Sequence, residues 1–459
     1  MQYYLAIDIG ASSGRHIIGW TQDGRLKTEE IYRFKNSAIT NIFNGRKCLQ
    51  WQHEQLFSEI INGLKRAKEI GKIPYSVGID TWGVDYALLD KEDNPIEGIF
   101  CYRDSRTEKT TAEVHEKIPF AELYAKTGIQ FATFNTIYQL WDDLIKGRME
   151  RAESMLMLPS YFHFRLTGVK MLEYTHATTT SMINVNTHTW DHEILDRLGY
   201  KKALFKGISQ PKTLVGEFTE EISKIVGYKA LVVLPATHDT ASAVIAAPLD
   251  SNTPYISSGT WSLLGVEQDK ERTDELSREA DYSNEGGLDG TFRFQKNIMG
   301  LWMIQRVRKE LNDKYDFETL TNLARLSPVD YEIDVNDLRF LSPDSMTEEI
   351  FSAVGKRLSV GETAYVIYNN LARYYARSLN DLEKVLGKQY KTLNIIGGGS
   401  QNSLLNELTK QKTGRKVIAG PAECTAIGNL LVQMMSAGEC LSVKEGRKLI
   451  KKSFDIKEV

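Results

Sequence analysis

Residues Leu5-Ala6-Ile7-Asp8-Ile9-Gly10-Ala11-Ser12-Ser13-Gly14-Arg15 read as an apolar strand that delivers one carboxylate, Asp8, and then turns tightly. The turn holds two glycines and two hydroxyls. Gly10 and Gly14 let the backbone approach a ligand without a Cβ in the way. Successive N–H groups of such a turn form an anion-binding hollow, and Ser12 and Ser13 add hydroxyl donors. A carboxylate beside a phosphate-binding turn points to Mg²⁺, which takes one or two carboxylates together with phosphate oxygens and water. The segment is neither a Walker P-loop nor a G-x-G-x-x-G dinucleotide turn. An ordinary β-hairpin is the competing reading of the same residues.

At 459 residues the chain is too long for one usual domain, so two domains are expected. Hydrophobic residues make up 42% and charged residues 25%, which is globular composition. A net charge of −3 gives no reason to expect nucleic acid or an anionic membrane as partner. Met1-Gln2-Tyr3-Tyr4 lacks a basic leader, and the apolar tract Val232–Pro248 is broken by His238 and Asp239, so neither a signal peptide nor a membrane span is expected. Four cysteines, Cys48, Cys101, Cys424 and Cys440, stand far apart and read as free thiols of a cytoplasmic protein.

Element types alternate along the chain. Tyr3–Ile9, Arg15–Trp20 and Leu26–Phe34 read as strands, the last two joined at Asp23-Gly24, a strong hairpin signal. A helix is expected near Gln52–Ile70, with Leu56, Phe57, Ile60, Ile61, Leu64 and Ala67 on one face, followed by a strand at Ser76–Asp80. Tyr255–Val266 repeats the opening idea of strand, hydroxyl-rich turn and strand. A long amphipathic helix is expected over about Thr363–Leu386, then a strand at Leu393–Ile396, a glycine run, a helix from Ser403, a strand at Lys416–Ile418 and a helix from Pro421. Two halves that open alike suggest a duplicated α/β fold.

Three further stretches carry chemistry. In Pro235-Ala236-Thr237-His238-Asp239-Thr240, Asp239 sits where a strand passes into a helix. It reads as an N-cap, or as a general base that takes the proton of a sugar hydroxyl while the oxygen attacks phosphorus. Gly397-Gly398-Gly399, at the end of a strand, reads as a flexible connector or as a close approach to a nucleotide. Gly78–Asp85 and Tyr102–Arg106 place polar and aromatic groups as a polyol pocket needs them; surface salt bridges among Arg103, Asp104 and Arg106 are the plainer reading.

Taken together, the blocks Asp8–Arg15, Gly78–Asp85, Tyr102–Arg106, His238–Ile245, Ser257–Ser262, Asn297–Trp302 and Gly397–Gly399 resemble the FGGY carbohydrate kinases over nearly the whole chain. The resemblance implies an α/β fold of two ribonuclease-H-like domains of the actin and hexokinase superfamily around an ATP cleft, over residues 1–244 and 245–459. It implies ATP and Mg²⁺ as cofactors, with Asp8 at the metal. Ala11, Ser12, Ser13, Gly14, Arg15, Thr260, Gln305, Gly398 and Gly399 would bind ATP. Gly83, His238, Asp239, Thr240 and Asn297 would bind the sugar, with Asp239 as base. The implied reaction phosphorylates O1 of a 6-deoxy-L-ketohexose, L-rhamnulose or L-fuculose, in a monomer or small homo-oligomer. A nucleotide-switched binding protein of the same superfamily is the alternative; it needs the phosphate turns but not Asp239 or the pocket at Thr81–Asp85.

Overall fold

The computed structural model describes residues 1–43, 45–250 and 253–459. They form two compact units that are not continuous halves of the chain. The first comprises Met1–Ala246, Gln268–Phe294 and Thr425–Ser453; the second comprises Ala247–Glu267, Gln295–Cys424 and Phe454–Val459.

The first unit is built on a six-stranded sheet in the order Leu214–Glu217, Leu231–Val233, Ser76–Thr81, Tyr4–Ile9, Ser13–Gln22, Arg25–Lys35. Tyr4–Ile9 is buried along its whole length, as a mostly apolar strand covered on both faces would be, with Asp8 the one charged residue in it. It pairs antiparallel with Ser13–Gln22 and parallel with Ser76–Thr81. The hairpin at Asp23-Gly24 has φ of +52° and +66°, the twist that joins two antiparallel strands tightly. The expected helix runs over His53–Glu69 and buries Leu56, Ile60, Ile61, Leu64 and Ala67.

The far end of the chain completes this unit. The helix Cys424–Ser436 is tied to the two central strands by side-chain amides. Asn429 Nδ2 donates to the Gly78 carbonyl at 3.1 Å, and Gln433 Nε2 donates to the Leu5 carbonyl at 3.0 Å. A Cβ at Gly78 would stand 2.6 Å from Asn429 Oδ1, so only glycine lets the helix lie this close. The same helix presses on the backbone of the helix Asp239–Ala246, where a Cβ at Gly428 would overlap the Ser242 carbonyl.

The second unit repeats the plan. Its strands lie in the order Phe292–Met299 (from Gln295 onward), Trp261–Gln268 (up to Glu267), Tyr255–Ser258, Thr392–Ile396, Lys416–Ala419, Lys457–Glu458. Tyr255–Ser258 forms a hairpin with the strand after it and runs parallel to Thr392–Ile396, which runs parallel to Lys416–Ala419. An antiparallel strand closes each sheet on the side away from the hairpin. The duplicated α/β pattern is therefore present in the pairing itself.

Two helix starts differ from expectation. The long helix begins at Val360, because Ser359 and Glu362 form a reciprocal capping box that adds a turn before Thr363. The helix expected from Pro421 begins at Cys424, and the Pro421 carbonyl accepts the Gly397 N–H at 3.2 Å rather than a helical N–H.

Gly428→Ala is expected to destabilise the protein by about 1–3 kcal/mol, as overpacking against rigid backbone does. Equilibrium denaturation checks this; a midpoint equal to wild type would show that the two helices separate freely.

Candidate active site

Strand register puts Asp8 opposite Asp80 on adjacent parallel strands, so both side chains leave the same face of the sheet. Asp8 is 3% exposed and Asp80 is fully buried. Across the hairpin Asp8 pairs with Arg15, whose Nε lies 3.2 Å from Asp8 Oδ2. Asn429 Nδ2 donates to Asp80 Oδ2 at 2.6 Å, while Asp80 Oδ1 is buried and has no hydrogen-bond partner among the described residues. Burial, and then the Asp8 carboxylate beside it, push the Asp80 carboxyl well above the usual carboxylate range.

The turn after Asp8 is held by Asn36. Its Nδ2 donates to the Gly10 carbonyl at 2.9 Å, and its backbone N–H donates to the Ser12 carbonyl at 3.0 Å. Ser12 is exposed and Ala11, Ser13 and Arg15 are half-buried. Gly14 is required for packing, because a Cβ there would enter the Phe34 ring.

Asp239 is the first residue of its helix, and it is not the N-cap. The first helical bonds go from the Ala241 and Ser242 N–H groups to the His238 carbonyl. The Asp239 carboxylate instead takes the Thr240 N–H at 2.6 Å and the Thr240 hydroxyl at 3.2 Å, both on Oδ1. Burial raises its pKa above the ordinary value; His238 opposes that shift and Asp8 adds to it. The loop that carries it is clamped by Glu173, whose carboxylate accepts from Thr175 N, Thr175 Oγ1, His176 N, Thr237 N and Thr237 Oγ1 at 2.6–3.1 Å. The Thr81 N–H donates to the Thr237 carbonyl at 3.0 Å and joins this loop to the strand that carries Asp80.

Beyond Thr81 the chain kinks at Gly83-Val84. Val84 has φ of +68°, a strained value for a β-branched residue. The strain is held by Thr179 Oγ1, which accepts the Val84 N–H at 3.1 Å, and by Thr136 Oγ1, which donates to the Val84 carbonyl at 2.6 Å. A Cβ at Gly83 would stand 3.3 Å from His238 Nε2. Gly83, His238, Asp239 and Thr240 thus converge within the first unit. Arg106 does not form the expected surface salt bridge. Arg106 is buried and donates to Asp143 and Gln139, and Asp104 accepts the Arg106 and Leu49 N–H groups.

In the second unit, the Thr260 hydroxyl donates to Gln305 Oε1 at 3.4 Å, and the Leu301 and Trp302 N–H groups donate to the Gly259 and Thr260 carbonyls. A Cβ at Gly300 would stand 2.5 Å from backbone of Trp261, so this close approach needs glycine. The three glycines are not equivalent. Gly397 has φ of +80°, a Cβ at Gly399 would overlap the Ser258 hydroxyl, and a Cβ at Gly398 would meet nothing within 4 Å. The Asn297 carbonyl accepts from Asn336 Nδ2 at 3.5 Å, and Asn336 Nδ2 also donates to the Tyr374 hydroxyl at 3.0 Å.

The FGGY carbohydrate kinase N-terminal domain matches residues 3–246 and the C-terminal domain of the same family matches residues 254–437. The chain belongs to the FGGY carbohydrate kinases. It is 45% identical to a rhamnulokinase of Halalkalibacterium halodurans, with 100% of this chain and 98% of the relative covered. It is 40% identical to a rhamnulokinase of Bacillus subtilis, with 99% and 94% covered. Among solved structures, it superposes on a ligand-bound xylulose kinase from Lactobacillus acidophilus with a TM-score of 0.78 at 16% identity, covering 100% and 93%. A Plasmodium falciparum glycerol kinase with ADP gives 0.75 at 13%, covering 99% and 94%.

This FGGY kinase is therefore an enzyme that uses ATP as donor and Mg²⁺ as cofactor on a small-molecule sugar. Its residues suit the metal. Among the described residues no three His, Cys, Asp or Glu side chains form a closed metal cage. One or two carboxylates, here Asp8 and the orphaned oxygen of Asp80, are what Mg²⁺ takes when phosphate and water supply the rest. Among the described residues no helix is long and apolar enough to cross a membrane, and all four cysteines are buried and outside any disulfide.

Sequence reasoning did not single out Asp80, Glu173 or Asn429. Asp80 had a signal: Val77-Gly78-Ile79-Asp80 repeats the pattern of Leu5-Ala6-Ile7-Asp8. Glu173 and Asn429 had none, because their partners lie far away in the chain.

Asp85 is buried and accepts the indole N–H groups of Trp51 and Trp82 at 2.6 and 2.8 Å. Burial pushes its pKa up to about 6 against those donors. A carboxyl that holds its proton more tightly folded than unfolded favours the fold most below the unfolded pKa. That advantage is lost as pH rises through about 6. Between pH ~4 and ~7 the wild type is expected to lose on the order of 3 kcal/mol relative to Asp85→Asn. Denaturation of both proteins across that window checks it, and parallel profiles would contradict it.

Proposed function

We propose that this kinase transfers the γ-phosphoryl group of ATP to O1 of L-rhamnulose, giving L-rhamnulose 1-phosphate and ADP. The observation that carries the chemistry is Asp239. One of its oxygens is fixed by Thr240, and the other makes no hydrogen bond to the described residues. It lies beside His238 and in the same loop cluster as Gly83. A carboxyl whose pKa burial raises toward neutrality suits a general base.

In this reading the sugar O1–H gives its proton to Asp239 Oδ2 as O1 attacks the γ-phosphorus, and the bond to the ADP oxygen breaks. Mg²⁺, when bound, offsets charge on the phosphate oxygens, and Asp8 with Asp80 would orient it. Ala11–Arg15 would hold phosphate through backbone N–H groups and the hydroxyls of Ser12 and Ser13. Thr260, Gln305, Gly398 and Gly399 would hold the nucleotide. Gly83, His238, Thr240 and Asn297 would hold the sugar. The free cysteines and the demand for ATP support a cytoplasmic location.

The ketose rests on the relatives named above, which are rhamnulokinases over their full length. L-Fuculose differs from L-rhamnulose only in hydroxyl configuration. A coupled ADP assay over L-rhamnulose, L-fuculose, L-xylulose and glycerol is expected to give the highest kcat/KM with L-rhamnulose; a higher value for another member overturns the substrate. Asp239→Asn is expected to fold normally and to lose roughly 10²–10⁴-fold in kcat. Near-normal turnover in that variant would remove Asp239 as base while leaving the sugar assignment to the panel.

A further inference from the structure

The helix Cys424–Ser436 lays two amides, Asn429 and Gln433, over the central strands of the first unit. They are four residues apart and so share one helix face. Ser76, Gly78 and Asp80 alternate along their strand and share the face it turns to that helix. Asn429, Gln433 and Asp80 are fully buried. The Ser76 hydroxyl donates to Gln433 Oε1 at 2.7 Å. Gln433 Nε2 donates to the Leu5 carbonyl at 3.0 Å and to Asn429 Oδ1 at 2.7 Å. Asn429 Nδ2 in turn donates to the Gly78 carbonyl at 3.1 Å and to Asp80 Oδ2 at 2.6 Å.

A backbone carbonyl only accepts, so Leu5 and Gly78 decide which end of each amide faces the strands. With Gln433 Nε2 on Leu5, its oxygen is left for Ser76 and its second N–H for Asn429. With Asn429 Nδ2 on Gly78, its second N–H is left for Asp80. Every amide N–H of this relay is used, and each amide oxygen accepts a hydrogen bond. A buried polar network completed in this way is rigid. Asp80 meets the relay on Oδ2. Its Oδ1 has no hydrogen-bond partner among the described residues, and Asp8 stands opposite on the adjacent strand. Gly78 makes the room: a Cβ there would lie 2.6 Å from Asn429 Oδ1 and 3.0 Å from Gln433 Nε2.

We infer that Asn429 and Gln433 are positioning residues for the metal, which fix the Asp80 carboxylate through Oδ2 and so reserve Oδ1 for Mg²⁺. This rests on the reading of Asp8 and Asp80 as the carboxylates that orient Mg²⁺. Neither amide touches the cation in this scheme. Asn429 acts through Asp80, and Gln433 acts through Asn429. Hydrogen bonds that orient a ligating carboxylate tune the affinity of the metal it holds.

The test titrates Mn²⁺, in place of Mg²⁺, into the full-length enzyme saturated with a non-hydrolysable ATP analogue, with free Mn²⁺ read by EPR. Asn429→Ala is expected to bind Mn²⁺ ~10-fold or more weakly, the scale of a lost hydrogen bond that orients a metal ligand. Its ketose KM is expected to stay within about twofold, because no sugar contact is assigned to this helix. Gln433→Met keeps the contact with Asp80 but removes its anchor, and is expected to weaken Mn²⁺ binding by less. Asp80→Asn is expected to weaken Mn²⁺ binding as well. Adding Asn429→Ala to Asp80→Asn should then cost little more, since the amide has no carboxylate left to hold. If Asp80→Asn binds Mn²⁺ like the wild type, the metal reading of Asp80 falls and the inference falls with it. If Asp80→Asn weakens binding and a folded Asn429→Ala does not, the inference alone falls. Losses that add in the double variant also overturn it, because they mark a general loosening of the fold. If Asn429→Ala does not fold, Gln433→Met enters the same cycle in its place, and unchanged Mn²⁺ binding there overturns the inference.

Discussion

Two carboxylates side by side in a buried sheet are the constraint around which the first unit is arranged. Asp8 and Asp80 leave the same face of adjacent parallel strands, and neither is open to water. Like charges this close in a poorly solvated place are costly unless a counter-charge or strong donors meet them. Arg15 meets Asp8 across the hairpin, and Asn429 meets Asp80 from a helix near the end of the chain. The register of three strands and the docking of that helix are therefore tied to one pair of acids. A divalent cation is the remaining charge such a pair invites, so the proposed metal site and the packing of the sheet would have the same origin.

The loops around the acids are held by hydrogen bonds, some of them at the expense of strain. Val84 keeps a left-handed backbone that valine disfavours, and donors and acceptors from Thr136 and Thr179 hold it there. Glu173 gathers five donors from two separate loops, which fixes the segment just before His238 and Asp239. Buried polar clusters of this kind are costly when incomplete and rigid when complete. Rigidity is what a base needs if it is to meet a hydroxyl at hydrogen-bond distance.

Much of the fold was legible in the sequence, because its signals are local. The Asp23-Gly24 turn, the apolar strand ending in Asp8 and the apolar face of His53–Glu69 each depend on neighbours within a few residues. The extra turn at Ser359 was legible too, in the Ser-x-x-Glu spacing, though amphipathic periodicity alone passed over it. The packing role of Gly14 was not legible, because a glycine required against Phe34 looks, in sequence, like one that serves a ligand. Arg106 was misread because nothing near it shows that Gln139 and Asp143 will enclose it. The groups that hold the candidate site, Glu173 and Asn429, are set by long-range packing, and a single sequence carries no local trace of that.

The placement of Thr425–Ser453 in the first unit has a consequence for synthesis of the protein. Domains of most chains fold in order as they leave the ribosome, the N-terminal one first. Here the first 246 residues emerge without the helix that supplies Asn429 to Asp80 and Gln433 to Ser76 and Leu5. Their central strands would wait with buried polar groups unmet until nearly the whole chain had been translated. In this kinase the part made first is completed by residues made near the end of the chain.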